Sequence, residues 1–214
     1  MLVLGVWRPE RHGLSERIRG ELSGSRHDVA VHTLAPRGGG KFETLNRLLA
    51  EHPADEHDWL LVVDDDVELP RGFLDRFLFL CERFSLQLAQ PAHGLDSHAA
   101  WPLTRRRPRS VARETRFVEI GPVTAFARPT FAVLLPFPEL RMGWGLDAHW
   151  AALAAEHGWR CGIVDAVPIH HRAAPAADAY PREAAVAEAR AFLAKRPYLS
   201  AGETQRTLTT HYRW

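Results

Sequence analysis

Short unbroken apolar runs take turns with stretches in which apolar residues recur every three or four positions, and this rhythm holds over the first third of the chain. "LVLGVW" (2–7) has the length of a strand, and "RHGLSERIRGELSG" (11–24) sets Leu14, Ile18 and Leu22 on one helical face before ending at glycine. "DVAVHTL" (28–34) reads as a strand and "APRGGG" as a turn-forming loop. "KFETLNRLLAEH" (41–52) is a second helix, with Phe42, Leu45 and Leu49 in register, and "DWLLVV" (58–63) closes a βαβαβ series. Apolar rather than alternating strands predict a parallel sheet covered on both faces by helices. Pro70 is expected in the first turn of the next helix, on which Phe73, Phe77, Leu80 and Phe84 form a core stripe.

Past residue 85 the pattern changes. "LQLAQPAHG" (86–94) and "RFVEIGPVTAFAR" (116–128) read as strands, with a polar loop containing "WPLTRRRPR" (101–109) between them. "GWGLDAHWAALAAEHG" (143–158) holds a glycine-bounded helix, "WRCGIVDAVPIHH" (159–171) a strand, and "YPREAAVAEARAFLAKR" (180–196) an Ala-rich helix. The tail ending in "HYRW" is expected to be irregular. No repeat or linker divides the sequence, so residues 1–214 read as a single domain.

Charge narrows the function classes. Lys plus Arg number 27 against 26 Asp plus Glu, a formal charge of +1, which gives no global field for nucleic acid or acidic lipid. The opening apolar run is cut at once by Arg8, Pro9 and Glu10, and no later stretch reaches the ~20 apolar residues of a membrane span. The expectation is a soluble, cytoplasmic protein without a transmembrane segment. Cys81 and Cys161 have neither metal-type spacing nor a disulfide framework and read as core residues.

The candidate chemistry begins at "WLLVVDDDVELP" (59–70), where a buried-looking strand delivers Asp64, Asp65 and Asp66 to the carboxyl edge of the sheet, the edge at which such sheets bind ligands. Adjacent carboxylates repel, and a hard divalent cation with oxygen ligands would resolve the conflict; solvated or helix-capping acids are the alternative. Period-two geometry would aim Asp64 and Asp66 at one ligand and Asp65 elsewhere.

This stretch resembles the strand and Asp-x-Asp motif of glycosyltransferases with the GT-A fold, family 2-like enzymes especially. The resemblance implies an α/β fold that is Rossmann-like, with a mixed, mainly parallel sheet sandwiched by helices. The resemblance runs from about residue 28 to 171 and divides the domain into a nucleotide-sugar-binding part over about 1–95 and an acceptor-side part over about 96–180; the C-terminal helix and tail, about 181–214, carry no family signal. The resemblance also implies a divalent metal, Mn2+ or Mg2+, held against the diphosphate of a nucleotide sugar. On that reading Asp66 is the direct metal ligand, Asp64 meets the ribose or the metal shell, and Asp65 is a secondary donor contact.

Three further segments stand in the order the family has them. "GGGKFETLNRLL" (38–49) resembles the lysine and asparagine-bearing helix before the metal motif: Lys41 would approach the donor, or simply open a helix, and Asn46 would brace a loop. "GWGLDAHW" (143–150) resembles the acceptor-side motif, in which Trp144 offers a flat face to a sugar ring and Asp147 acts as general base. A core tryptophan and a carboxylate favourable to the helix dipole are the plainer alternatives. "GWRCGIVDAVPIHH" (158–171) also resembles an uncharacterised glycosyltransferase-like family of plants, and its His171, with His170 in reserve, is implied as a third metal ligand. One of Arg105, Arg106 or Arg107 would meet a phosphate, with His98 and Trp101 lining the same cavity.

The implied activity is metal-dependent transfer of a sugar from a nucleotide-diphosphate sugar to the hydroxyl of a small-molecule, glycan or other acceptor, with inversion. A haloacid-dehalogenase-like phosphatase is the first rival, but its Asp-x-Asp wants Thr or Val two places later, where Glu68 stands. A non-catalytic nucleotide-sugar-binding module is the second.

Overall fold

The computed structural model describes residues 1–36, 38–172 and 181–214. Arg37 of the 35–40 turn and Tyr180 of the 180–196 helix lie outside the described residues. The first half runs β1 (Leu2–Val6), α1 (His12–Ser23), β2 (Ala30–Leu34), α2 (Lys41–Glu51), β3 (Trp59–Val63), β4 (Val67–Glu68), α3 (Phe73–Arg83) and β5 (Leu88–His93). The second runs β6 (Ala112–Thr115), β7 (Val123–Ala127), α4 (Phe131–Leu134), α5 (Leu146–His157), β8 (Cys161–His171), α6 (Arg182–Leu193), α7 (Ala201–Thr204) and β9 (Thr207–His211).

Among the described residues the strands form one mixed sheet in the order β2-β1-β3-β7-β5-β8-β6-β9, with β4 paired to β8. β1 is parallel to β2 and β3, and β5 is parallel to β8, whereas β7 and β6 run against their neighbours. Side-chain alternation then divides the core. Val3, Leu61 and Val63 point to the face covered by α1 and α3, while Leu2, Leu4, Leu60 and Val62 point to the face covered by α2, α5 and α6. Both faces are buried, which is why the strands read as continuous apolar runs.

Several elements differ from expectation. Pro70 precedes its helix; Gly72 caps α3 at φ +66°, and the chain turns there before Phe73 begins the buried stripe. The 116–128 run keeps strand geometry only at Val123–Ala127, and a strand not expected from the sequence, β6, precedes it. β6 is hidden by its polar letters, because Arg113 is buried in an apolar layer and satisfied by Asp165: Nε donates to Oδ2 at 2.8 Å and Nη2 to Oδ1 at 2.9 Å. The tail is ordered rather than irregular, as α7 and then β9, an edge strand of "TLTTH" whose threonines suit a half-exposed edge but carry no apolar signal.

Candidate active site

β1 and β3 are in parallel register from Leu2↔Leu60 to Leu4↔Val62, so the residues that follow them leave the sheet together. The Trp7 indole donates to the Val63 carbonyl at 3.0 Å and holds the two ends side by side. Arg8 therefore arrives at the carboxylates. Its backbone N–H donates to Asp65 Oδ2 at 2.6 Å, its Nε to the same oxygen at 2.8 Å, and its Nη2 to Asp65 Oδ1. Arg11, one turn on, places Nη1 3.1 Å from Asp66 Oδ2, and Arg8 Nη2 reaches that oxygen at 3.3 Å.

Lys41, the first residue of α2, sets Nζ 2.7 Å from Asp64 Oδ1 and donates to the Ile120 carbonyl at 3.2 Å. His171 comes from the far side because β4 pairs antiparallel with β8, Val67 opposite His171. Its Nε2 lies 3.2 Å from Asp66 Oδ1. The repulsion among the three acids is thus offset by two guanidiniums, an ammonium and an imidazole within the chain. The chain turns after Val63 rather than staying extended; Asp65 and Asp66 share the Arg8 and Arg11 guanidiniums, and Asp64 faces Lys41.

Titration follows these contacts. The Arg8 guanidinium is raised above its ordinary value by its hydrogen bonds to Asp65. Burial pushes Asp66 upward, but His171, Arg11 and Arg8 together outweigh it and hold the carboxyl at about 2. Burial also raises Asp64, against the opposing pull of Lys41. Asp147, second residue of α5, is pushed up to about 7, chiefly by burial and further by Glu119, against a hydrogen bond from the Ala148 N–H at 2.8 Å.

Glu119, whose negative charge adds to the upward shift of Asp147, is itself bonded toward the first group. It is 6% exposed, its Oε1 lies 2.7 Å from His93 Nε2, and its Oε2 accepts from Thr104 at 3.2 Å. His93 Nδ1 in turn lies 3.2 Å from Ser97 Oγ, which accepts the His171 N–H at 2.8 Å. Two residues after Glu119, a methyl group on Gly121 would stand 3.1 Å from both Asp64 Oδ2 and Lys41 Nζ, so backbone closes over that ion pair. Gly143 and Gly145, at φ +77° and +88°, turn the chain into α5, with Trp144 half-buried between them.

The other residues singled out in the sequence do not all reach this edge: Asn46 lines a cleft on the opposite side of the sheet and Arg107 lies against β9. Asn46 braces a loop, its amide donating to the Phe137 carbonyl at 2.7 Å and accepting the Phe137 N–H at 2.9 Å. His98 stacks obliquely near His171, with ring centroids 5.7 Å apart, while His170 faces Gly94. Trp101 packs edge-on against Phe117. In the arginine loop, Arg107 is tied to β9 through Thr210 and Thr207, and Arg113 holds the Arg105 carbonyl. A cleft of about 570 Å3 lined by Leu49, Phe131 and Leu135 opens beside Arg128, whose N–H bonds the Asp58 carbonyl at the start of β3, the sheet edge opposite the carboxylates.

A divalent metal finds a partial ligand set. Among the described residues no group of three or more His, Cys, Asp or Glu side chains is placed to hold one ion. Yet Asp66 Oδ1 is buried without a hydrogen-bond partner, and His171 Nε2 lies 3.2 Å from it, a carboxylate–imidazole pair placed side by side. Such a pair suits an ion that takes few protein ligands and completes its shell from phosphate oxygens and water. Arg8, Arg11, Glu119 and His93 were not singled out in the sequence; for the two arginines the available signal is their place in the loop directly after β1, which must open on the same sheet edge as Asp64.

No protein-family model matches the sequence, and no curated protein does. Solved structures do match. TarS of S. aureus, residues 1–349, superposes with a TM-score of 0.56 at 12% identity over 94% of this chain and 68% of that one. GalNAc-T7 with UDP, GalNAc and Mn2+ gives 0.51 at 11% identity, over 81% of this chain and 44% of that one. A197 from STIV gives 0.52 at 10% identity, covering 81% and 86%. The fold is GT-A-like. At these identities the kinship is one of architecture, and the chain spans 58% of TarS 1–349 as crystallised with UDP-GlcNAc. No described helix is long and apolar enough to cross a membrane.

Proposed function

We propose that this chain is a metal-assisted glycosyltransferase acting on a nucleotide-diphosphate sugar and a hydroxyl acceptor, with inversion. The observation that carries the reading is the position and titration of Asp147: a carboxyl raised to about 7, chiefly by burial, in the first turn of α5 directly after the Gly143–Gly145 turn that packs on the start of α2 beside Lys41. A base near neutrality is matched to taking a proton from a hydroxyl at physiological pH. Asp66 and His171 would hold Mn2+ or Mg2+, which when bound supplies charge neutralisation to the leaving diphosphate.

The chain's own groups do the rest. Asp147 accepts the acceptor proton as that oxygen attacks the anomeric carbon on the face opposite the diphosphate, giving inversion in one displacement. Lys41, Arg8 and Arg11 provide fixed positive charge beside the diphosphate, while Asp64 positions Lys41 and meets the ribose edge. Asp65, with both oxygens taken by Arg8, serves as the anchor of that arginine on the donor side. Trp144 presents its ring to the acceptor sugar.

The direct test is turnover of a panel of uridine, guanosine and thymidine diphosphate sugars with Mn2+, read as release of free nucleoside diphosphate. Release from one nucleotide class, abolished by chelation, is the expected result. Binding of a donor with no turnover under any acceptor would instead favour a binding module.

A further inference from the structure

We infer that Glu188, on α6, is a positioning residue that fixes Asp147 by clamping the turn ahead of α5; the inference rests on the reading of Asp147 as the base. Glu188 Oε2 accepts the Arg141 N–H at 2.9 Å, and Oε1 accepts those of Met142 at 3.0 Å and Gly143 at 3.1 Å. Three consecutive amides converging on one carboxylate form an anion nest, here filled by the protein itself. The clamped Gly143 is also the residue whose carbonyl accepts the Leu146 N–H at 3.1 Å, so the held turn runs directly into the first residues of α5, where Asp147 sits.

The same turn is gripped from the other side. A methyl group on Gly40 would collide with the Arg141 backbone, and one on Gly143 with the Phe42 ring, so the turn packs backbone-close on the start of α2, next to Lys41. On the α6 side, Leu193 closes over Gly145, and the segment after the helix bonds the first turn of α5 through Pro197 to His149 at 2.7 Å and Leu199 to Ala148 at 3.1 Å. Glu188 is thus the polar anchor of a turn wedged between the donor-side lysine and the acceptor-side base. It touches neither proposed substrate, so its removal would move the base without emptying the donor site.

The experiment compares Glu188→Ala, Glu188→Gln and Asp147→Asn for donor KM, kcat and amide hydrogen exchange. Expected for Glu188→Ala is at least a tenfold loss of kcat with donor KM within twofold, and faster exchange confined to residues 141–147. Glu188→Gln, which keeps one acceptor oxygen, is expected to restore part of the rate. Wild-type kcat in Glu188→Ala beside an inactive Asp147→Asn would overturn the inference and leave the proposed base standing. Exchange raised evenly through α5 and β8, with kcat per folded molecule unchanged, would reduce Glu188 to a structural contact and overturn it as well. Full activity in Asp147→Asn would remove the base itself, a failure read in that variant alone.

Discussion

Replacing Asp147 with Asn is expected to lower transfer by about 10²- to 10⁴-fold, the range supplied by a positioned general base, while metal-dependent nucleotide binding persists. Wild-type kcat/KM should rise with pH through about 7, the value to which burial pushes this carboxyl in the free protein, and level off above it. The same shift has a stability consequence of definite sign. Because the folded pKa lies above the ordinary aspartate value of 3.8, the folded state retains a proton that the unfolded chain has lost between about pH 4 and 7. Asp147 therefore contributes stability at acid pH that is lost as pH rises through that window. The neutral amide of the Asp147→Asn variant carries no such penalty, so that variant should melt higher than wild type at pH 8, by on the order of 1–3 kcal/mol, and not at pH 4. Loss of activity together with loss of nucleotide binding would place Asp147 among the structural residues instead.

The second large effect lies in the sheet. Asp165 is fully buried and receives both Arg113 nitrogens as well as the Arg107 N–H at 2.8 Å. Asp165→Ala would strand a guanidinium that is 2% exposed, at an expected cost of about 3–5 kcal/mol in urea unfolding. The double replacement Arg113→Met with Asp165→Leu removes both charges and should cost less than the single change. A single variant as stable as wild type would mean that water or another group reaches Arg113.

This pair also explains where sequence reading stopped. The βαβαβ half was legible because β1 and β3 are apolar on both faces, and the helices carry plain stripes such as Ile18, Leu22 and Phe42, Leu45. β6 was not, since its buried arginine is neutralised by an aspartate 52 residues later, beyond any local pattern. β9 was not either, because a threonine-rich edge needs little apolar surface. In the site, the carboxylates, His171 and Asp147 could be proposed from motif order. The cations that oppose those carboxylates could not, because Arg8 and Arg11 reach Asp65 and Asp66 only once β1 and β3 lie side by side. Pairing of Val67 with His171 across β4 and β8 is likewise a tertiary fact, and it is what brings the imidazole to Asp66.

The most direct measurement is thermal stabilisation by a panel of nucleoside diphosphates, with and without Mn2+, in wild type and in Asp66→Ala. Stabilisation of the wild type by one diphosphate only when Mn2+ is present, and its disappearance in Asp66→Ala, is the predicted result; indifference to every diphosphate, or an unchanged Mn2+-dependent shift in Asp66→Ala, would contradict it.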